Sequence, residues 1–153
     1  MKMLLAIDGS KCSEQAVDML IQQYRPSDIE VLVVHAVDSV SLMPIPYTCG
    51  VGPVFAYKCM AMVEQWLKEG EELVSRTAGR LRAAGFNTST QVKEGDAREI
   101  ILECAGKWKP DLILLGSHGK KGLDRFCPGS VSETIARHAR CAVEIVRAPA
   151  RAA

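Results

Sequence analysis

Long apolar runs are missing from this sequence. The first candidate, Met3 to Ile7 (MLLAI), stops at Asp8, too short for the hydrophobic region of a secretory signal and far too short to cross a bilayer. Charge of one sign is not in excess either. With 19 Lys+Arg against 18 Asp+Glu the net charge is +1, so no overall basic field recruits nucleic acid or an anionic membrane, and a partner must be sought at a local site. Paired cysteines are absent: Cys12, Cys49, Cys59, Cys104, Cys127 and Cys141 are scattered, with no CxxC and no Cys/His cluster of zinc-finger spacing. This usage reads as reduced thiols in a cytoplasmic protein. The HxxC pair His138 and Cys141 offers two ligands, too few for a zinc site. Neither GxxxxGK[ST] nor GxGxxG occurs, which disfavours a P-loop NTPase and a dinucleotide fingerprint.

What is present is core-forming residues in a regular rhythm. At 153 residues and 48% hydrophobic content the chain can bury one continuous core, so a single domain over 1–148 with a short tail at 149–153 is expected. Met3 to Ile7, ended by Asp-Gly, predicts a strand buried on both faces and therefore central. Ala16, Met19, Leu20 and Tyr24 recur at helical spacing, with Ser10 as cap and Pro26 as stop. Ile29 to Val37 predicts a second buried strand. From Ser39 to about Tyr57 three prolines and two glycines break every period, predicting an irregular loop.

Met60, Val63, Leu67, Val74, Leu81 and Ala84 then mark a long amphipathic helix ended by Gly85; Gly70 and Gly79 inside it predict a bend or a close packing contact. Phe86 to Val92 alternates weakly, as an edge strand does. A helix from the Asp96 cap to Pro110, a strand at Leu112 to Leu115, a helix carrying Val131, Ile135, Ala136 and Ala139, and a strand at Ala142 to Val146 complete the order. Such alternation predicts an α/β fold, an open parallel sheet with helices on both faces.

Between the strand at Leu112 to Leu115 and the helix that follows it lies GSHGKKGLDRFCPGS, Gly116 to Ser130. It leaves the carboxyl end of a strand, where open parallel sheets place their functional crevice. A helix starting near Ser130 offers unpaired N–H groups and a positive dipole end, and glycines upstream let backbone N–H groups approach an anion unobstructed.

The spacing Gly116-x-x-Gly119, nine residues, Gly129-Ser130, following DLILLGS and leading into GSVSE, resembles the ATP-binding branch of the universal stress protein family. LLAIDGS, VLVVHAVD, VKEGDAREIILECA and CAVEIVR resemble its other segments in the same order, so the likeness covers nearly the whole chain. The resemblance implies a five-stranded sheet of order 3-2-1-4-5, Rossmann-like or of the adenine nucleotide alpha hydrolase-like type, and a homodimer paired through the C-terminal strand. It implies Ala6, Asp8 and Ala36 at the base and ribose, and Gly116, Ser117, His118, Gly119, Gly129, Ser130 and Val131 around the phosphates of ATP or another adenine nucleotide, with Mg²⁺ or Mn²⁺ beside them. The chain departs from the family at Cys127-Pro128, where aliphatic residues are common, and Pro128 has no N–H to donate. It also reads RCAV where the family often reads PCPV.

Each of these residues has a plainer role beside the functional one. Asp8 can cap the next turn instead of touching ribose or a metal-bound water. His118 is a phosphate-side donor or an exposed loop histidine, and Lys120, Lys121 and Arg125 screen phosphates or are simply solvated. Ser130 can cap its helix and bind phosphate at once. His35, inside an apolar strand, reads as structural. No general base with a clear partner stands near the loop, so no catalytic residue is assigned, and turnover is limited to slow ATP hydrolysis or self-phosphorylation on a serine. A nucleotidyl transferase or ATP pyrophosphatase would carry HxGH or an SGGxDS-like loop after the first strand, where this chain reads DGSKCS. A nucleotide-free dimerisation module is the other alternative. The expected role is that of a nucleotide-dependent stress-response or signalling module.

Overall fold

The computed structural model describes residues 1–39, 53–118 and 129–147. Among these residues five strands and four α-helices follow one another as β1 (Lys2–Ala6), α1 (Lys11–Gln23), β2 (Glu30–Val37), α2 (Pro53–Ala83), β3 (Asn87–Glu94), α3 (Ala97–Trp108), β4 (Leu112–Gly116), α4 (Ser130–His138) and β5 (Ala142–Val146). The strands form one parallel sheet, as the alternation of elements predicts, in the order β3-β2-β1-β4-β5 that the resemblance implies. β1 is central because nothing in Met3 to Ala6 needs water: Met3, Leu4 and Leu5 are fully buried.

Each face of the sheet carries its own helical layer. Met3, Leu5, Val31, Val33 and Leu114 pack under Ala16, Val17 and Leu20 of α1 and Val74 and Leu81 of α2. Leu4, Ala6, Leu32, Val34, Ile113 and Leu115 point the other way, to Ile100, Ile101 and Cys104 of α3 and Ile135 of α4. Burying one such aliphatic side chain is worth roughly 1.5–3 kcal/mol relative to leaving it exposed, so both faces are held chiefly by the apolar inner strands β1, β2 and β4.

The irregular loop expected from Ser39 to about Tyr57 does not include residues 53–57, which already belong to α2. The proline read as a breaker stands at the first helical position, where its missing N–H costs no hydrogen bond. Residues 40–52 lie outside the described residues. The two glycines inside α2 prove unlike. A Cβ at Gly70 would sit 2.8 Å from His35 Cδ2 and 3.2 Å from Val92 Cγ1, so glycine is what lets α2 lie close on β2 and β3. At Gly79 nothing stands within 4 Å, and the expected packing contact is absent there. Gly85, at φ 93°, closes the helix: its N–H donates to the Arg82 carbonyl and that of Phe86 to the Leu81 carbonyl.

Candidate functional site

β1 and β4 are hydrogen-bonded neighbours, with Ala6 in register with Leu115, so their carboxyl ends open side by side. The chain leaves β1 for α1 on one face of the sheet and returns after β4 through α4 on the other. That divergence makes the crevice of an open parallel sheet.

On the β1 side, Asp8 and Gly9 turn the chain into α1. Gly9 has φ 74°, a left-handed conformation that glycine adopts without strain, and an Asp8 carboxylate oxygen accepts the Ser10 N–H at 3.0 Å. Ser10 caps α1 by accepting the Ser13 N–H, while the Ser13 hydroxyl donates to the Ser10 carbonyl. The Ser10 hydroxyl donates in turn to the His118 carbonyl at 3.2 Å, which ties the β1 turn to the segment after β4.

On the β4 side the backbone is packed against α1. A Cβ at Gly116 would lie 2.8 Å from both the carbonyl carbon and the Cβ of Cys12, and 2.9 Å from the Ser13 nitrogen. Ser117, fully buried, donates its N–H to the Val146 carbonyl at 2.7 Å. Its own carbonyl accepts the Gly129 N–H at 2.8 Å and the Ser132 hydroxyl at 3.1 Å. Its hydroxyl lies 2.9 Å from His118 Nδ1, and Nε2 of that ring is buried without a hydrogen-bond partner among the described residues.

Gly129 is the N-cap of α4 and brings no side-chain cap, in contrast to Ser10 on α1 and Asp96 on α3. The first N–H groups of a helix have no carbonyl within it, so Ser130, exposed, and Val131 present donors at the positive end of a dipole. Asp8, Gly116, Ser117, His118, Gly129, Ser130 and Val131 thus gather around the carboxyl ends of β1 and β4, while Gly119, Lys120, Lys121, Arg125 and Cys127-Pro128 lie outside the described residues. Ala6 and Ala36 lie on the α3/α4 face near the ends of β1 and β2, Ala6 buried in that core and Ala36 half-buried against it. His35 faces the other way: Nδ1 is 2.8 Å from the Ile7 carbonyl and the ring edge abuts Gly70, a packing role.

Two parts of this arrangement escape a reading of the sequence. The Gly129 N–H, expected at phosphate, is spent on Ser117. Ser132 locks the same turn, its hydroxyl donating to the carbonyls of Ser117 and Gly129. The one available signal was its place in GSVSE, where a serine can bond the carbonyl three residues back. Among the described residues no group of three or more His, Cys, Asp or Glu could hold a metal ion, and no helix is long and apolar enough to cross a membrane.

The family model described as universal stress protein family matches residues 1–147. A universal stress protein of Methanocaldococcus jannaschii is 31% identical over 149 residues, spanning 97% of this chain and 82% of the relative. Among solved structures, hypothetical protein MJ0577 superposes with a TM-score of 0.82 at 21% identity, covering 97% of this chain and 96% of its own. An Arabidopsis thaliana protein of the universal stress family with AMP bound gives 0.67 at 18% identity, with 98% and 93% covered. A universal stress protein in complex with cAMP gives 0.62 at 22% identity, with 96% of each covered. The sheet order, the crevice at the ends of β1 and β4 and these matches agree: the chain belongs to the universal stress protein family.

Proposed function

We propose that this protein binds an adenine nucleotide, ATP in the first place, in the crevice between the ends of β1 and β4, and acts as a nucleotide-dependent stress-response or signalling module of the cytoplasm. The observation that carries the reading is the start of α4: a helix N-terminus with no side-chain cap, whose N-cap Gly129 is hydrogen-bonded to Ser117 at the carboxyl end of β4. Such a terminus suits a phosphate. Bound AMP and cAMP in two structural neighbours support the adenine base as the other half of the ligand.

In this reading the N–H groups of Ser130 and Val131 face the phosphates. Ala6 and Ala36 leave flat surface for the base, and Asp8 stands at the ribose. Gly116 and Gly129 act indirectly, by letting β4 lie on α1 and the α4 turn close on Ser117. Gly119 belongs to the same phosphate loop by resemblance. The described residues offer one carboxylate here and no cage, which fits a Mg²⁺ or Mn²⁺ that arrives coordinated by the phosphates and not a resident metal. No residue is given a catalytic role. The whole of 1–148 works as one domain, and two copies pair through β5.

A second reading has an observation in its favour. Gly116 is required by packing within the protein and Gly129 sits tightly against the Ser117 carbonyl, so the glycine pattern alone is also compatible with a nucleotide-free dimerisation module. One experiment separates the two: denature freshly purified protein, identify released nucleotide by mass spectrometry, and titrate the stripped protein calorimetrically with ATP, AMP and cAMP. Released adenine nucleotide and binding heat are expected. Neither appearing would overturn the nucleotide reading.

A further inference from the structure

β3 is the edge strand of the sheet beside β2. The Gly95 N–H donates inward to the Val37 carbonyl, and strand alternation therefore turns the N–H and C=O groups of Glu94, Val92, Thr90 and Thr88 outward. The Thr88 carbonyl shows that direction, since it accepts a hydrogen bond from the Arg82 guanidinium of α2. The side chains of Thr90 and Val92 face α2 and line a cavity of about 300 Å³ together with Glu71, Val74, Ser75 and Arg82. Among the described residues no strand lies beyond β3, and its edge runs along a groove with an aliphatic floor, Val74 and Val92. An anion stands at one end, Glu71, and a cation at the other, Arg82.

We propose that this groove takes an extended peptide segment of a partner protein, added as a strand antiparallel to β3. Main-chain bonds to Thr90 and Val92 supply the affinity, and side chains at alternate positions supply the choice. Arg82 lies at the amino end of β3, beside Thr88, and Glu71 nearer its carboxyl end, next to Gly70 on Val92. An antiparallel segment that complements them reads basic-x-aliphatic-x-acidic from its amino end, each named residue pointing at α2.

The test uses the full chain and a library of short synthetic peptides scored by fluorescence anisotropy. The basic-x-aliphatic-x-acidic pattern is expected to be enriched. Thr90→Pro removes an outward N–H from an edge strand, where proline is tolerated. It is expected to weaken the best peptide roughly tenfold while leaving the thermal transition in place. Should Thr90→Pro unfold the chain, Arg82→Glu replaces it and is expected to reverse the choice toward peptides with a basic carboxyl-terminal residue. Absence of any enriched pattern, unchanged affinity in Thr90→Pro, or self-association of the chain that Thr90→Pro abolishes would overturn the proposal, the last because the edge would then belong to a second copy.

Discussion

At the scale of single residues the glycines divide by what surrounds them. Gly70→Ala places a methyl group against His35 and Val92 and is expected to lower stability by roughly 1–3 kcal/mol, the cost of overpacking. Gly79→Ala meets open space on an exposed helical turn and is expected to raise stability by about 0.5–1 kcal/mol. Denaturant titration of the two variants checks both signs. Gly116→Ala is a poor probe of the crevice, because its Cβ would strike the backbone of Cys12 and any loss of binding would follow from lost packing. Ser130→Glu is the cleaner one. A carboxylate in the first turn of α4 favours the helix by about 0.3–1 kcal/mol, yet it sets a negative charge where the proposed phosphates lie. Calorimetry is expected to find ATP binding lost and the melting temperature unchanged or raised; retained affinity would move the phosphates elsewhere.

At the scale of elements, caps decide where helices begin. Asp96 accepts the Arg98 N–H at the start of α3, and hydrogen bonding from Arg98 holds its carboxyl down at about 2, against a smaller opposing effect of burial. Because the folded value lies below the ordinary 3.8, this stabilisation is present above that value and is lost as pH falls toward 2. Asp96→Ala is expected to cost about 1 kcal/mol near neutral pH, and the difference from the parent chain is expected to vanish in acid. Denaturation curves at both pH values measure it. The start of α2 shows the limit of reading caps from sequence: a proline serves equally as the end of a loop and as the first residue of a helix, and only packing separates the two.

At the scale of the whole molecule, contacts between distant elements join the ends of the sheet. The Tyr24 hydroxyl, at the end of α1, donates to Glu144 of β5 at 2.8 Å. Burial, then this bond and the nearby carboxylate, push its phenol up to about 12. The neutral phenol therefore stabilises the fold fully below the ordinary 10.0, and that contribution is lost as pH rises through about 12. An ultraviolet alkaline titration is expected to find a tyrosine ionising near 12, a step that Tyr24→Phe removes. For the proposed pairing through β5, Val143 and Ile145 pack against the α3/α4 core, so charging either is expected to destabilise the fold. Sedimentation of the unaltered chain is the sound test, and a single-chain mass at every concentration would refute the dimer.

Read alone, the sequence was enough for the succession of strands and helices, the central place of β1, the peripheral place of β3 and the crevice end of the sheet. Each follows from local periodicity or from the apolar continuity of one short segment, and neither depends on distant partners. Tertiary structure decided how the crevice is built. The bond from Ser10 to His118 spans 108 positions, and the Ser117 carbonyl gathers donors from Gly129 and Ser132. His35 became a packing residue only once Gly70 was seen against it. Such roles are set by which backbone groups meet after the chain has crossed the sheet, and no spacing along the sequence records that meeting.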